Sequence, residues 1–294
     1  MLGKFEMGNP VLLGNLLIVP LCGESTKLEI LDLEYGISCG VTIEEKGTVE
    51  TVIVNNPLEN HIFIMDGEEL IGAWQDRISR YSVIVDKGRK SEIEVLCIER
   101  GRWERESVKK VFKSGFTAYP RLRELVTFHE NGKSPSLQEK VWASIDVKLK
   151  TLSVSSATSS LHHSFDSVKG YMDIYLSWEP EEDVVGVMAF SNRGLLCMDI
   201  FSDSGLFRRL SKKLVAGYAL DAIEDRMRGK VFEFSNDKIL NAFKSMNSLK
   251  YKSSKRINDK CEQVILEGKL KGKVLKYNGS FVHATLFPTR QCWI

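Results

Sequence analysis

The stretch VVGVMAFSNRGLLCMDIF, residues 184–201, decides the fold class. Two apolar runs, residues 184–190 and 195–201, flank Ser-Asn-Arg-Gly, and a glycine-bearing turn between such runs is a hairpin signal. The continuation, SDSGLFRRLSKKLVAGYALDAIEDRM, changes period. Phe207, Leu210, Leu214, Tyr218 and Ala222 fall on one helical face, and Leu206, Val215 and Ile223 widen it. Asp203 or Ser204 can cap its start. Arg208, Arg209, Lys212 and Lys213 lie on the other side and read as a solvated face. A hairpin followed by a long helix is not a strand–helix–strand alternation, and no GxGxxG follows a strand. The expected class is therefore α+β, with antiparallel or mixed β-sheets and a few packed helices.

Working outward, residues 236–246 read as a second helix, and EQVILEGKLKGKVLKYNGSFVHATLF as three strands joined by glycine turns. Upstream, SVSSATSSLHHS is a polar loop. Before it, Ser136 caps a helix from Leu137, with Gln138 and Glu139 in the first turn and Val141, Ile145, Leu149 and Leu152 in one stripe. Residues 121–129 have helical spacing. The first hundred residues read as β, with strands over 16–21, 49–54, 61–65, 81–85 and 93–98. The apolar run 11–21 is broken by Gly14, Asn15 and Pro20 and reads as a buried strand rather than a signal peptide. The expected organisation is one compact domain, with sub-blocks of about 1–130 and 131–294.

With 294 residues, 43% hydrophobic and 27% charged, the chain is long enough to bury a substantial core. A formal charge of +2 argues against a surface built for polyanions, so no nucleic-acid partner is expected. No run is long enough to span a membrane, and no membrane partner is expected. The six cysteines are widely spaced without a CxxC, which fits reduced thiols in the cytoplasm and no metal site. No cofactor motif is legible, and homo-oligomerisation stays open.

Chemistry concentrates in three neighbouring stretches: DGEEL (66–70), GAWQDR (72–77) and CIERGRW (97–103). If the strands carrying them share a sheet, Asp66, Glu68, Glu69, Gln75, Asp76, Arg77, Glu99 and Arg102 meet at one edge. Paired carboxylates can divide acid and base roles or hold a divalent cation. Arg77 and Arg102 suit bidentate contacts to phosphate or to those carboxylates, and Trp74 and Trp103 offer stacking surfaces. The same residues also fit a structural salt-bridge network. Weaker features are His283 on an apolar strand, His162 and His163 beside Ser155, Ser156, Thr158 and Ser159, Cys97 two residues before Glu99, and Gln138 one turn before Trp142.

Together with QEKVW, SSATSSL, the 184–223 segment and FVHATLF, these stretches resemble the first of the domains named ARG and Rhodanese-Phosphatase-superfamily-associated protein. ARG there denotes ADP-ribosylglycohydrolase. The likeness covers about residues 10–288 in the family's order. The polar positions matching its pattern are Gly67, Glu68, Gly72, Gln75, Arg77, Glu99, Gly101, Trp103, Gln138 and Trp142. A lysine common in the family just before the glutamine is Trp74 here. The resemblance implies work near ADP-ribose or related metabolites, by association with the named neighbours. The leading expectation is a cytoplasmic protein binding a nucleotide-like metabolite in a pocket lined by Glu68, Gln75, Arg77, Glu99, Arg102 and Trp103. The alternatives are a hydrolase at that place, with Glu68 or Glu99 as general base and Arg77 as anion clamp, and a structural or oligomerising subunit. No triad or complete metal motif chooses the enzyme.

Overall fold

The computed structural model describes residues 3–102, 111–129, 135–229 and 234–289. It is α+β throughout. The chain divides into two compact units. One is discontinuous, Met1–Leu28 with Asp173–Ile294, and the other, Glu29–Met172, is inserted within it. The division does not coincide with the composition change near residue 130.

The discontinuous unit is built on a nine-stranded antiparallel sheet. Its order is Phe5–Met7, Leu16–Gly23, Val184–Ser191, Gly194–Phe201, Ser280–Pro288, Leu270–Tyr277, Cys261–Glu267, Lys250–Arg256, with Val11–Leu13 also on Leu16–Gly23. The expected hairpin is present, turning at Asn192-Arg193 between Ser191 and its partner Gly194. The three C-terminal strands also appear, preceded by the fully exposed strand Lys250–Arg256, whose polar sequence hid it. One face of the sheet presents Leu17, Val19, Met188, Ile200, Val274 and Leu286 to Ile239 of the helix Asn236–Ser245.

The helix Ser204–Met227 packs on the central strands, its start capped by Asp203, which accepts from the Leu206 N–H at 2.9 Å. Arg208, Arg209 and Lys212 are exposed as expected, but Lys213 is buried. It stands three residues after Leu210, on the flank of the apolar stripe rather than opposite it. Beneath this helix Asp199 lies fully buried on the sheet. It accepts hydrogen bonds from Tyr218 (2.6 Å) and Thr285 (2.8 Å), and His283 Nε2 stands 3.1 Å away. His283 is thus a hydrogen-bonded core residue, its ring 4.4 Å from that of Phe201.

The inserted unit holds a three-stranded sheet, Val83–Val85, His61–Ile64, Ile30–Asp32, and a six-stranded one. The latter runs Phe112–Thr117, Glu68–Gly72, Arg77–Ser79, Arg89–Cys97, Thr51–Asn56, Thr42–Glu45. An isolated bridge between Glu44 and Val111 brings its two edges together at one point. The helix Leu137–Thr151 begins with a reciprocal cap between Ser136 and Glu139. The expected helix near 121–129 is Pro120–Phe128, with proline in its first turn. Glu68–Gly72 and Arg77–Ser79 are strands where the sequence read only polar turns, and part of the serine-rich loop becomes the helix His162–Ser167.

Candidate functional site

Strand alternation sorts the polar residues of the inserted unit into two sets. Leu70 pairs with Arg77 and Arg77 with Cys97, so these three share one face, as does Glu68 two residues before Leu70. Glu69 pairs with Ile78, and Ile78 with Leu96, on the other face. Neighbouring carboxylates in the sequence therefore serve different environments.

The inner set is structural. Arg77 has no exposed surface. Its guanidinium bonds the Val49 carbonyl at 2.8 Å, both oxygens of Glu45 at 3.3 Å, and the Cys97 sulfur. The Glu45 side chain is as fully buried as its partner. Arg77 is in no position to clamp an external anion, which corrects the expectation placed on it. Glu68 is likewise buried and accepts from the Met65 N–H at 3.1 Å and the Ser114 hydroxyl at 2.7 Å, which removes it as an accessible general base. Asp66 pairs with the buried Arg123, 3.1 Å away. Gly67, at φ +76°, leaves the space that the Arg123 side chain fills: a Cβ there would lie 2.8 Å from Arg123 Cγ.

Gln75 also supports rather than binds. Its amide donates to the Glu99 carbonyl at 3.0 Å and its oxygen accepts from the Cys97 thiol at 3.2 Å. Gln138 completes the strand edge from the helix Leu137–Thr151, donating to the Cys97 carbonyl at 2.8 Å and accepting from its N–H at 2.9 Å. Burial pushes the Cys97 thiol up, which suits a core hydrogen-bonding group and not a nucleophile. Trp103 lies outside the described residues.

The outer set forms one connected network. Arg102 donates to Glu99 at 2.8 Å, to Asp76 at 3.1 Å and to the Ala73 carbonyl at 2.9 Å. Asp76 also accepts from the Gly72 N–H at 2.9 Å and the Ser160 hydroxyl at 3.0 Å. Ser160 Oγ accepts from the His162 N–H at 3.2 Å, and the His162 ring lies 3.2 Å from Glu69. The segment 157–161 is held against the strand end by Gly101 N–H to Thr158 O at 2.8 Å and Leu161 N–H to Ile98 O at 2.9 Å. Gly101 permits this approach, since a Cβ would stand 2.9 Å from Thr158 Cα. Ser160 and His162 were legible only as members of a polar loop, more than eighty residues from Asp76 in sequence. The pairing of two distant segments is what joins them to it.

The carboxyls of this network are pushed apart. Burial raises Glu69 above the usual carboxylate range, against the hydrogen bond from His162. Asp76 is raised by burial and then by the neighbouring Glu99. Burial also pushes Glu99 up, but hydrogen bonds from Arg102, Thr158 and the Asp76 backbone outweigh it and hold the carboxyl low. His162 is raised chiefly by its hydrogen bond to Glu69.

A histidine whose folded value is raised contributes stability fully present below its ordinary value of 6.5 and lost as pH rises through the folded value. Glu69, also raised, adds a loss of the same sign that begins above its ordinary value of 4.5. The melting temperature should therefore fall as pH increases above about 6.5, and His162→Gln should flatten that fall. Thermal unfolding of both proteins across that window checks it; parallel curves would refute the pair.

No curated protein and no solved structure matches this chain. One family model does, over residues 4–287, and it spans both units. The chain belongs to the family of the ARG and Rhodanese-Phosphatase-superfamily-associated Protein domain.

Proposed function

We propose that the inserted unit binds a small nucleotide-like metabolite at the rim formed by Arg102, Asp76, Ser160 and His162. One observation carries the reading: a guanidinium and an imidazole with exposed surface stand over buried carboxylates in a single network. Arg102 is 21% exposed and His162 28%, whereas the carboxylates behind them are at most 8% exposed. Cationic donors at a rim recognise phosphate, and carboxylates behind them accept hydroxyl protons. A sugar phosphate presents both. The family's name adds an association with ADP-ribosylglycohydrolase, which makes ADP-ribose-related molecules the first ligands to try.

The split between Asp76, raised, and Glu99, lowered, favours a second reading, hydrolysis at the same rim. Carboxyls pushed apart are how one site supplies both an acid and a base. Asp76 would be the proton donor and Glu99 the base, with Arg102 holding the anion.

A reducing, cytoplasmic setting is part of the proposal, supported by free thiols at all five described cysteines. Among the described residues no helix is long and apolar enough to cross a membrane.

The test is thermal unfolding with ADP-ribose, NAD and AMP, combined with chromatography for product. A ligand at a hundred times its Kd adds about 2.7 kcal/mol. Arg102→Lys, which keeps the charge but loses the planar fork, and His162→Gln should each reduce that gain at fixed ligand. A panel without any stabilisation, or a gain unchanged in both variants, would overturn the proposal. Stabilisation without product would leave binding and remove hydrolysis.

A further inference from the structure

The strand Phe112–Thr117 departs from its ladder opposite Glu69. Its register against Glu68–Gly72 shifts between Ser114 and Thr117, and a bulge of this kind re-aims the groups around it. Here the Phe116 N–H donates to Glu69 Oε2 at 3.2 Å. Gly115 makes room for that carboxyl, since a Cβ would lie 2.7 Å from Glu69 Oε2 and 2.5 Å from Ile71 Cδ1. Glu69 itself has no exposed surface, and its Oε1 has no hydrogen-bond partner among the described residues. A buried oxygen left in that state costs stability. What the arrangement holds in place is one imidazole, His162, with Nδ1 3.2 Å from Glu69 Oε2.

The ring is held from one side. With Nδ1 turned to Glu69, Nε2 points away from the carboxyl, and it has no hydrogen-bond partner among the described residues. The side chain is 28% exposed. Resting on the binding reading above, we propose that Glu69 is a positioning residue, which fixes Nδ1 of His162 as the inward nitrogen and presents Nε2–H at the rim as a donor to an anionic oxygen of the ligand. The shared proton explains why a carboxyl serves here. Whether it sits on Nδ1 or on Glu69, the second ring proton stays on Nε2, so the rim keeps its donor. Once the pair loses a proton, the one that remains lies between Nδ1 and the carboxylate, and Nε2 turns into an acceptor that disfavours anions. The charged groups facing the ring are Glu69, Asp76 from the turn before Arg77–Ser79, and Asp166 on its own helix. All three favour the protonated ring, and anion affinity falls as pH rises through its titration.

Two measurements on the full chain test this. The first is nitrogen NMR of the histidine rings across pH, with His162 assigned by its loss in His162→Gln. Above its titration the neutral ring should carry its proton on Nδ1, and Glu69→Gln should move the titration to lower pH. The second is affinity for ADP-ribose across the same range. Between the two titrations Glu69→Gln should bind about tenfold more weakly than the parent, and below both it should match it. A neutral ring protonated on Nε2, a titration unmoved by Glu69→Gln, or a loss of affinity equal at every pH would overturn the assignment. If no ligand binds while the ring behaves as expected, the binding proposal falls and the role of Glu69 on His162 stands. If Glu69→Gln does not fold, the ring nitrogens of the parent protein decide it.

Discussion

Arg77→Met is expected to destabilise the protein by about 3–5 kcal/mol, among the largest effects of any single substitution in the inserted unit. The reason lies in what it leaves behind. Glu45 has no exposed side-chain surface, and Arg77 reaches both of its oxygens. Methionine fills much of the volume but strands a buried carboxylate, and a buried charge without its partner is far costlier than the pair. The prediction separates two roles, because a residue that clamped a ligand would lose binding and keep stability. The double variant Arg77→Met, Glu45→Leu should recover most of the loss, since apolar replacement of a whole buried pair is often neutral. Urea unfolding followed by tryptophan fluorescence is the measurement, with Trp74, whose backbone N–H donates to Glu45 at 3.3 Å, as a local reporter. A single variant within about 1 kcal/mol of the parent would sink the assignment.

The second large effect belongs to the discontinuous unit. Asp199→Ala should cost about 2–5 kcal/mol, because it removes the acceptor shared by two buried hydroxyls and vacates volume under the long helix. Tyr218 and Thr285 both donate to this carboxylate, from 2.6 and 2.8 Å, and His283 Nε2 approaches it at 3.1 Å. Asp199→Asn keeps the shape and one acceptor, so it should cost clearly less than alanine. Chemical denaturation of the two variants gives the comparison. Equal losses would mean that shape, not hydrogen bonding, holds this part of the core. Neither variant should alter the response to ADP-ribose, because Asp199 lies outside the inserted unit.

Much of this fold was readable because its signals are local. The hairpin before the long helix, the caps at Asp203 and Ser136, and the C-terminal strands each follow from neighbouring residues. What stayed hidden depends on pairing. Glu68–Gly72 and Arg77–Ser79 are short, polar and rich in charge, so nothing in their own sequence marks them as strands. Once they are strands, alternation separates Glu68 from Glu69 and removes Arg77 from any surface. The site was half legible for the same reason. Glu99 and Arg102 were expected to meet and do, and Gln75 bonds the Glu99 carbonyl. Ser160 and His162 enter only because the backbone at 98–101 pairs with 158–161, which no local pattern announces. Glu69 needed the partner His162 before its place in the network could be read.

The interrupted sheet also sets an order in time. Leu16–Gly23 pairs with Val184–Ser191, and the whole of Glu29–Met172 is made between them. At about 5–20 residues per second, the first strands leave the ribosome on the order of ten seconds before their neighbour exists. The insert has its own core and contacts, and it can collapse during that wait. The earliest strands pair with one another, but Leu16–Gly23 waits for Val184–Ser191, and Leu16 to Leu21 is a run of side chains that end almost wholly buried. Aggregation during synthesis is therefore expected to run through Leu16–Gly23. A chaperone acting on this protein during synthesis would find its binding segment there.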